Sequence, residues 1–383
     1  MNQNPKKVLI AIGFQPYPTL FGGAVDVWER IVGLVSLGHI VDIVFTEKSR
    51  PSINDLNWIQ GIVNQVFFVQ RNNSWKQLFS NQPLQVLSRA AFKNVSFDAT
   101  YDFVILEGEF CASIIDNPSL NYNKLIVRIH NDESYYFDQL KESVTSFKEK
   151  IYYSLEAPKI RTYSKRVLDQ ADRLWYISSD EFKRSKYSSK SIFLPVPIND
   201  EFIDFQSVHS NEVLFVGSLF MPNNIFALDW FLTQIHPELI SRENYKFVVV
   251  GAVKSDEEKD RILKKYAKFQ KVEFHFNEKN LSVFYKKAKV FVNPMFHGSG
   301  VKIKSVMALV NALPLVSTTV GAEGIGLTDD MFWKANDKQT FLEALIEIFE
   351  LPENQLQNKV DAAQYFLKSN HYLKVLNCEM NSL

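Results

Sequence analysis

Residues Phe296 to Gly324 read FHGSGVKIKSVMALVNALPLVSTTVGAEG, and the order of residue types in this stretch decides the fold. A glycine-rich loop at Gly298 and Gly300 leads into a helical apolar pattern, then a strand begun by Pro314, then a second glycine turn at Gly321 to Gly324. That succession belongs at the carboxyl edge of a parallel sheet, where a helix N-terminus meets a phosphate. The first helical turn offers unpaired N–H groups, and Lys302 and Lys304 add positive charge beside them.

The same alternation of short apolar runs and helical patterns extends in both directions. Towards the amino terminus, Lys7 to Phe14 is a strand-like run, Phe21-Gly22-Gly23-Ala24 leads into a helical pattern from Val25 to Leu37, and His39 to Thr46 is the next strand. Val66 to Gln70, Phe103 to Glu107, Leu125 to His130 and Leu174 to Ser178 are further strand candidates, with long charged helical periodicity between Phe137 and Asp172. Ile192 to Ile198, IFLPVPI, carries the proline punctuation of a linker. The pattern then restarts at Val213 to Gly217, Phe247 to Gly251, Val272 to Phe276, Val290 to Asn293 and Leu315 to Ser317. The expected fold class is α/β, with two Rossmann-like doubly wound domains facing across a cleft. The expected boundaries are 1–200 for the first domain and 201–357 for the second. A C-terminal helix, 358–383, is expected to cross back to the first domain.

Composition narrows the function classes. With 383 residues, 46% of them hydrophobic and 22% charged, the chain has ample core for two domains and no sign of extensive disorder. Lys plus Arg equals Asp plus Glu at 43 each, so no net field draws it to nucleic acid. Cys111 and Cys378 are too few for a disulfide framework or a zinc cluster. No apolar run reaches the roughly 20 residues that span a bilayer. The expectation is a cytoplasmic protein, with its 14% aromatic content leaving peripheral attachment at the inner face of a membrane open.

Three stretches resemble the GT-B-fold glycosyltransferases of the group 1, family 4 type. GSGVKIKSVMALVNALPLVSTTVGAEGI is similar to the family pattern G-[ST]-G-x-K-x-K-x-x-E-A-x-A-x-G-x-P-V-V-x-T-x-x-G-A-E-G. FVGSLFMPNNIFALDWFL, Phe215 to Leu232, resembles the segment that opens the second domain, and RIHNDESYYF, Arg128 to Phe137, resembles the R-x-H-N-x-E-x-x-Y segment. The resemblance implies a retaining, metal-independent hexosyl transfer from a nucleotide sugar to a glycan or lipid-linked saccharide, with no cofactor. The absence of any Asp-x-Asp from the chain agrees: charge on the leaving diphosphate must then be met by amides, helix N-termini and lysines.

The resemblance and the residue pattern together nominate the site. His130, at the end of an apparent strand, matches the family histidine that contacts the donor sugar, and Lys302 is the leading phosphate contact. Donor binding is expected from Gly22, Gly23, Gly217, Ser218, Gly298, Ser299, Gly300, Val301, Ile303, Lys304, Met307, Gly321, Ala322 and Glu323. Asn131 and Glu133 either bind sugar hydroxyls or cap the following helix, Glu107 approaches the acceptor side or is structural, and Arg128 supports through an ion pair.

Departures from the family pattern weigh on function. Met307 stands where a glutamate usually holds the nucleotide ribose, and a methionine cannot accept those hydrogen bonds. Ala312 replaces a usual glycine, and Phe276 occupies a position near the base where glycine is common. These departures support an alternative reading, a GT-B protein impaired in catalysis that serves as a partner subunit or binding module. Donor sugar, acceptor and linkage are not readable from the chain.

Overall fold

The computed structural model describes residues 4–19, 22–72, 74, 77–78, 80–137, 147–198, 201–208, 210–298 and 300–383. It divides the chain into two units, one formed by Met1–Pro197 with Tyr372–Leu383 and the other by Ile198–His371.

The first unit is built on seven parallel strands, β1 (Lys7–Ile12), β2 (Ile40–Glu47), β3 (Gln65–Gln70), β4 (Thr100–Glu107), β5 (Asn121–Ile129), β6 (Arg173–Tyr176) and β7 (Ser191–Phe193). Their order in the sheet is β3-β2-β1-β4-β5-β6-β7. The second unit has six parallel strands, β8 (Asn211–Val216), β9 (Tyr245–Gly251), β10 (Val272–Phe276), β11 (Val290–Asn293), β12 (Leu315–Ser317) and β13 (Trp333–Lys334), in the order β10-β9-β8-β11-β12-β13. Both are Rossmann-like doubly wound sheets, as the alternating pattern predicted. Strand order reverses between β1 and β4 in one and between β8 and β11 in the other, and ligands of open α/β sheets bind at the carboxyl ends of such a pair.

The central strands are apolar on both faces because helices cover both faces. Val8 to Ile12 and Leu214 to Phe215 have no solvent exposure at all. The short strand β13 was not anticipated; two residues are too few to show a period.

The helix Tyr372–Ser382 completes the core of the first unit. Leu376 and Met380 join the cluster that contains Val27, Ile31 and Trp175, and the Tyr372 hydroxyl donates to the Glu29 carbonyl at 2.7 Å. Gly33 makes this contact close: a Cβ there would sit 2.5 Å from the Tyr372 oxygen. The preceding helix, Glu353–Ser369, stays in the second unit, where Gln364 donates to the carbonyls of Ile203 and Leu309 at 2.9 and 3.0 Å.

Candidate active site

In the second unit, the loop after β11 and the helix Ile303–Val310 form the structure that the opening stretch predicted. Gly298 and Gly300 have φ of 120° and 75°, values that L side chains avoid. A Cβ on Gly298 would also lie 3.0 Å from the Asn223 side-chain nitrogen, which would have to give way. Ser299 lies outside the described residues. Lys302 is the N-cap residue, buried, with its ammonium donating to the Gly300 carbonyl. Along the helix, Ser305, Val306, Ala308, Leu309 and Val310 are buried, while Ile303, Lys304 and Met307 share the part-exposed face. Val301 is also part-exposed.

Lys304 is better embedded than its place on a helix face suggested. Its Nζ donates to Asn224 Oδ1 at 2.7 Å and lies 4.8 Å from the Phe215 ring centroid. Burial, with repulsion from Lys302, pushes its pKa down to about 7. With Lys302 near enough to repel it and an amide oxygen and an aromatic face as its partners, the Lys304 ammonium is a charge that an anion would stabilise. Gly217 and Ser218 follow β8 directly, and the Ser218 carbonyl accepts from Asn224 Nδ2 at 3.0 Å.

The second glycine turn is tied to the first loop by a buried polar lattice. Asn293, the last residue of β11, donates through Nδ2 to Ser305 Oγ at 2.8 Å and to the Gly321 carbonyl at 2.9 Å, and Ser305 Oγ donates to the same carbonyl at 2.7 Å. A Cβ on Gly321 would stand 2.3 Å from Ser317 Oγ. Gly321 is therefore fixed by packing, and its carbonyl is used within the protein. Ala322 is buried, Glu323 is part-exposed, and Gly324 has φ 76°.

In the first unit, the carboxyl ends of β4 and β5 carry a buried ionic network. Glu107, the last residue of β4, accepts from Arg30 Nε at 2.8 Å through Oε1 and shares a 2.8 Å hydrogen bond with His130 Nε2 through Oε2. Asp26 accepts from Arg128 at 2.8 and 3.2 Å and also from Arg30, and its Oδ2 lies 3.7 Å from His130 Nδ1. Arg30 and Arg128 are fully buried. Burial alone would raise the Asp26 carboxyl, but Arg128, Arg30 and His130 outweigh it and hold the group below the usual carboxylate range. Glu107 is lowered in the same way, against burial, chiefly by Arg30 and His130.

Asp26, Glu107 and His130 bring three donor atoms within 4.8 Å of one another. Their carboxylates are already engaged by two guanidinium groups, whose positive charge opposes a cation at the same place. The donor set fits an ion-paired histidine support rather than a metal centre.

The remaining nominated residues separate. Gly22 and Gly23 open the helix Gly22–Ser36 after β1. Asp132, between Asn131 and Glu133, caps the following helix, accepting from the Tyr135 amide at 3.0 Å. Burial, with Glu109 nearby, pushes Glu133 up to about 8, and burial pushes Glu109 itself up to about 7. Sequence reasoning missed Asp26 and Arg30, although an acid–base pair at i,i+4 within the apolar VDVWERIV was a usable signal. It also missed Asn224, which offered no signal beyond its place in PNN after β8.

A sequence profile described as glycosyl transferases group 1 matches residues 210–350. A 44.6 kDa protein in a cps region of Klebsiella pneumoniae is 32% identical over 352 residues, covering 89% of this chain and 90% of that protein. The chain belongs to the group 1 glycosyltransferases. Solved structures agree on the fold. A point mutant of Staphylococcus aureus TarM, crystallised with Fondaparinux, alpha-GlcNAc-glycerol and UDP, superposes with a TM-score of 0.68 at 7% identity, covering 98% of this chain and 99% of that one. Anabaena HepE, crystallised with UDP and glucose, gives a TM-score of 0.62 at 10% identity, covering 98% of each chain. This glycosyltransferase therefore has the GT-B fold, and its matched segment contains every nominated residue of the second unit. No described helix is long and apolar enough to cross a membrane.

Proposed function

We propose that this glycosyltransferase transfers a sugar with retention of anomeric configuration and without a metal ion, from a nucleotide sugar to a glycan or lipid-linked saccharide acceptor. The carrying observation is the pair of lysines, Lys302 and Lys304, at the start of the helix Ile303–Val310, beside a loop kept open by Gly298 and Gly300. In this reading the leaving diphosphate lies against the first-turn amides and the two ammonium groups, which meet the charge that grows as the sugar–oxygen bond breaks. The acceptor hydroxyl attacks the anomeric carbon from the same face, and its proton passes to the departing phosphate oxygen. No protein nucleophile is required.

His130 is assigned to the donor sugar, held in orientation by Glu107 and, through the same network, by Asp26 and Arg30. The engaged carboxylates of that network support a reaction that proceeds without a metal. Surface polysaccharide assembly is the proposed setting, supported by the Klebsiella relative in a cps region. The UDP in the TarM and HepE crystals makes UDP-sugars the first donors to test, with GDP-sugars second.

The test is turnover of a donor panel with lipid-linked acceptors, in the presence and absence of EDTA, with product stereochemistry read from anomeric proton couplings. Retained configuration and EDTA-insensitive rates are expected. Inversion, or loss of turnover with chelator and recovery on adding a divalent ion, would refute the mechanism.

A further inference from the structure

The surroundings of Lys304 are unusual for a lysine drawn into a protein: its immediate partners are an amide oxygen and an aromatic ring. Asn224, in the first turn of the helix Pro222–Trp230, supplies the amide. Its Oδ1 accepts from Lys304 Nζ at 2.7 Å while its Nδ2 donates to the Ser218 carbonyl at 3.0 Å. The carboxamide also lies directly beneath Gly217, where a Cβ would meet its atoms at 3.0 to 3.2 Å. One neutral side chain thus joins the turn after β8 to the lysine of the helix after β11, and these two strands flank the reversal of strand order.

The choice of amide over acid has a physical consequence. An aspartate of the same shape would hold the ammonium more tightly but cancel its charge, leaving less attraction for a diphosphate, and would lose the bond to the Ser218 carbonyl because a carboxylate cannot donate. An ammonium has three N–H donors, and the amide takes one. We propose that Asn224 is a positioning residue of the donor site, whose neutral carboxamide fixes Lys304 to the Gly217–Ser218 turn and aims its ammonium at the diphosphate without neutralising it. The proposal rests on the donor-site reading above. Burial and Lys302 push Lys304 down to about 7, and an anion bound beside it would favour the charged form.

The experiment is calorimetric titration of the full chain with UDP and with GDP between pH 6 and 9, for wild type, Asn224→Asp and Asn224→Ser. Wild-type affinity is expected to fall as pH rises past about 7, where Lys304 loses its proton. Asn224→Asp is expected to weaken binding at least tenfold at pH 6.5 and to move the break in the pH profile upward by one unit or more. Asn224→Ser, neutral but too short to reach both partners, is expected to weaken binding several-fold with the break unmoved. Equal affinity and an unshifted break in Asn224→Asp would overturn the proposal while leaving the donor site intact, and so would a shifted break in Asn224→Ser. Failure of the wild type to bind either nucleotide would overturn the donor-site reading itself.

Discussion

Removing the Asp26 charge tests the first unit's buried network at its centre. Asp26→Asn keeps the side-chain shape but leaves Arg30 and Arg128, both fully buried, with Glu107 as the remaining carboxylate within the network. Breaking a buried ion pair from one side costs about 3 to 5 kcal/mol, because the stranded charge keeps its desolvation penalty. In a unit of about 200 residues, each kcal/mol moves the midpoint by about 2 to 4 °C, so a fall of about 6 to 20 °C is expected. Differential scanning calorimetry of the first unit's transition measures it, with Lys165→Ala as control. Lys165 pairs with Asp169 in the open, and exposed pairs contribute about 0 to 1 kcal/mol. The Asp26 charge itself should be present throughout the neutral range. The Asp26 carboxyl is held below its ordinary value of 3.8, so its stabilisation is present above that value and is lost only as pH falls beneath it. A loss no larger than that of Lys165→Ala would refute the assignment of Asp26 as the charged centre of this network.

Three further outcomes are expected. Met307→Glu, on the part-exposed helix face beside Lys304, should tighten UDP or GDP binding about tenfold or more by restoring a charge-assisted partner for the ribose; unchanged or weaker binding would show a remodelled pocket. Ala312→Gly should raise the second unit's stability by up to about 1 kcal/mol in a urea titration, since a left-handed alanine costs about 1–2 kcal/mol and its buried methyl returns about 0.8; destabilisation would show that the methyl outweighs the strain. Glu109 and Glu133 are raised to about 7 and 8, mainly by burial, so the native state holds protons that the unfolded chain releases above pH 4.5. Their stabilisation is full below that value and is lost as pH rises through 7 to 8; the melting temperature should fall from pH 6 to 9, less steeply in Glu133→Gln, and identical slopes would contradict this.

How far the sequence could be read depended on whether a residue's environment was local. The strands were legible because a parallel sheet buried on both faces needs continuous apolar runs, and Val8 to Ile12 or Phe247 to Val250 can hardly be anything else. The glycine loop at Gly298 was legible because its backbone conformation is a local property. Asp26 and Arg30 were not, since a charged i,i+4 pair normally marks a solvated helix face. Only the approach of β4 and β5, nearly 80 residues or more away in sequence, turns that face inward. Asn224 was hidden for the same reason, its partner Lys304 being 80 residues distant. Ala312 was legible in part. Its place after the helix, with φ 58° and the Leu313 and Ala312 amides donating back to Ala308 and Leu309 at 2.9 and 3.0 Å, is the left-handed cap that glycine usually fills.

The return of the helix Tyr372–Ser382 to the first unit sets an order of events during synthesis. Tyr372, Leu376 and Met380 belong to a core whose members outside the last twelve residues all precede residue 198. At about 5 to 20 residues per second, the ribosome takes roughly 10 to 35 s to make the intervening second unit. Throughout that interval the surface at Gly33, on which Tyr372 and Leu373 pack in the finished unit, lacks its cover. The second unit, contiguous in sequence, has no such wait, so the half that is made first is the half that finishes folding last.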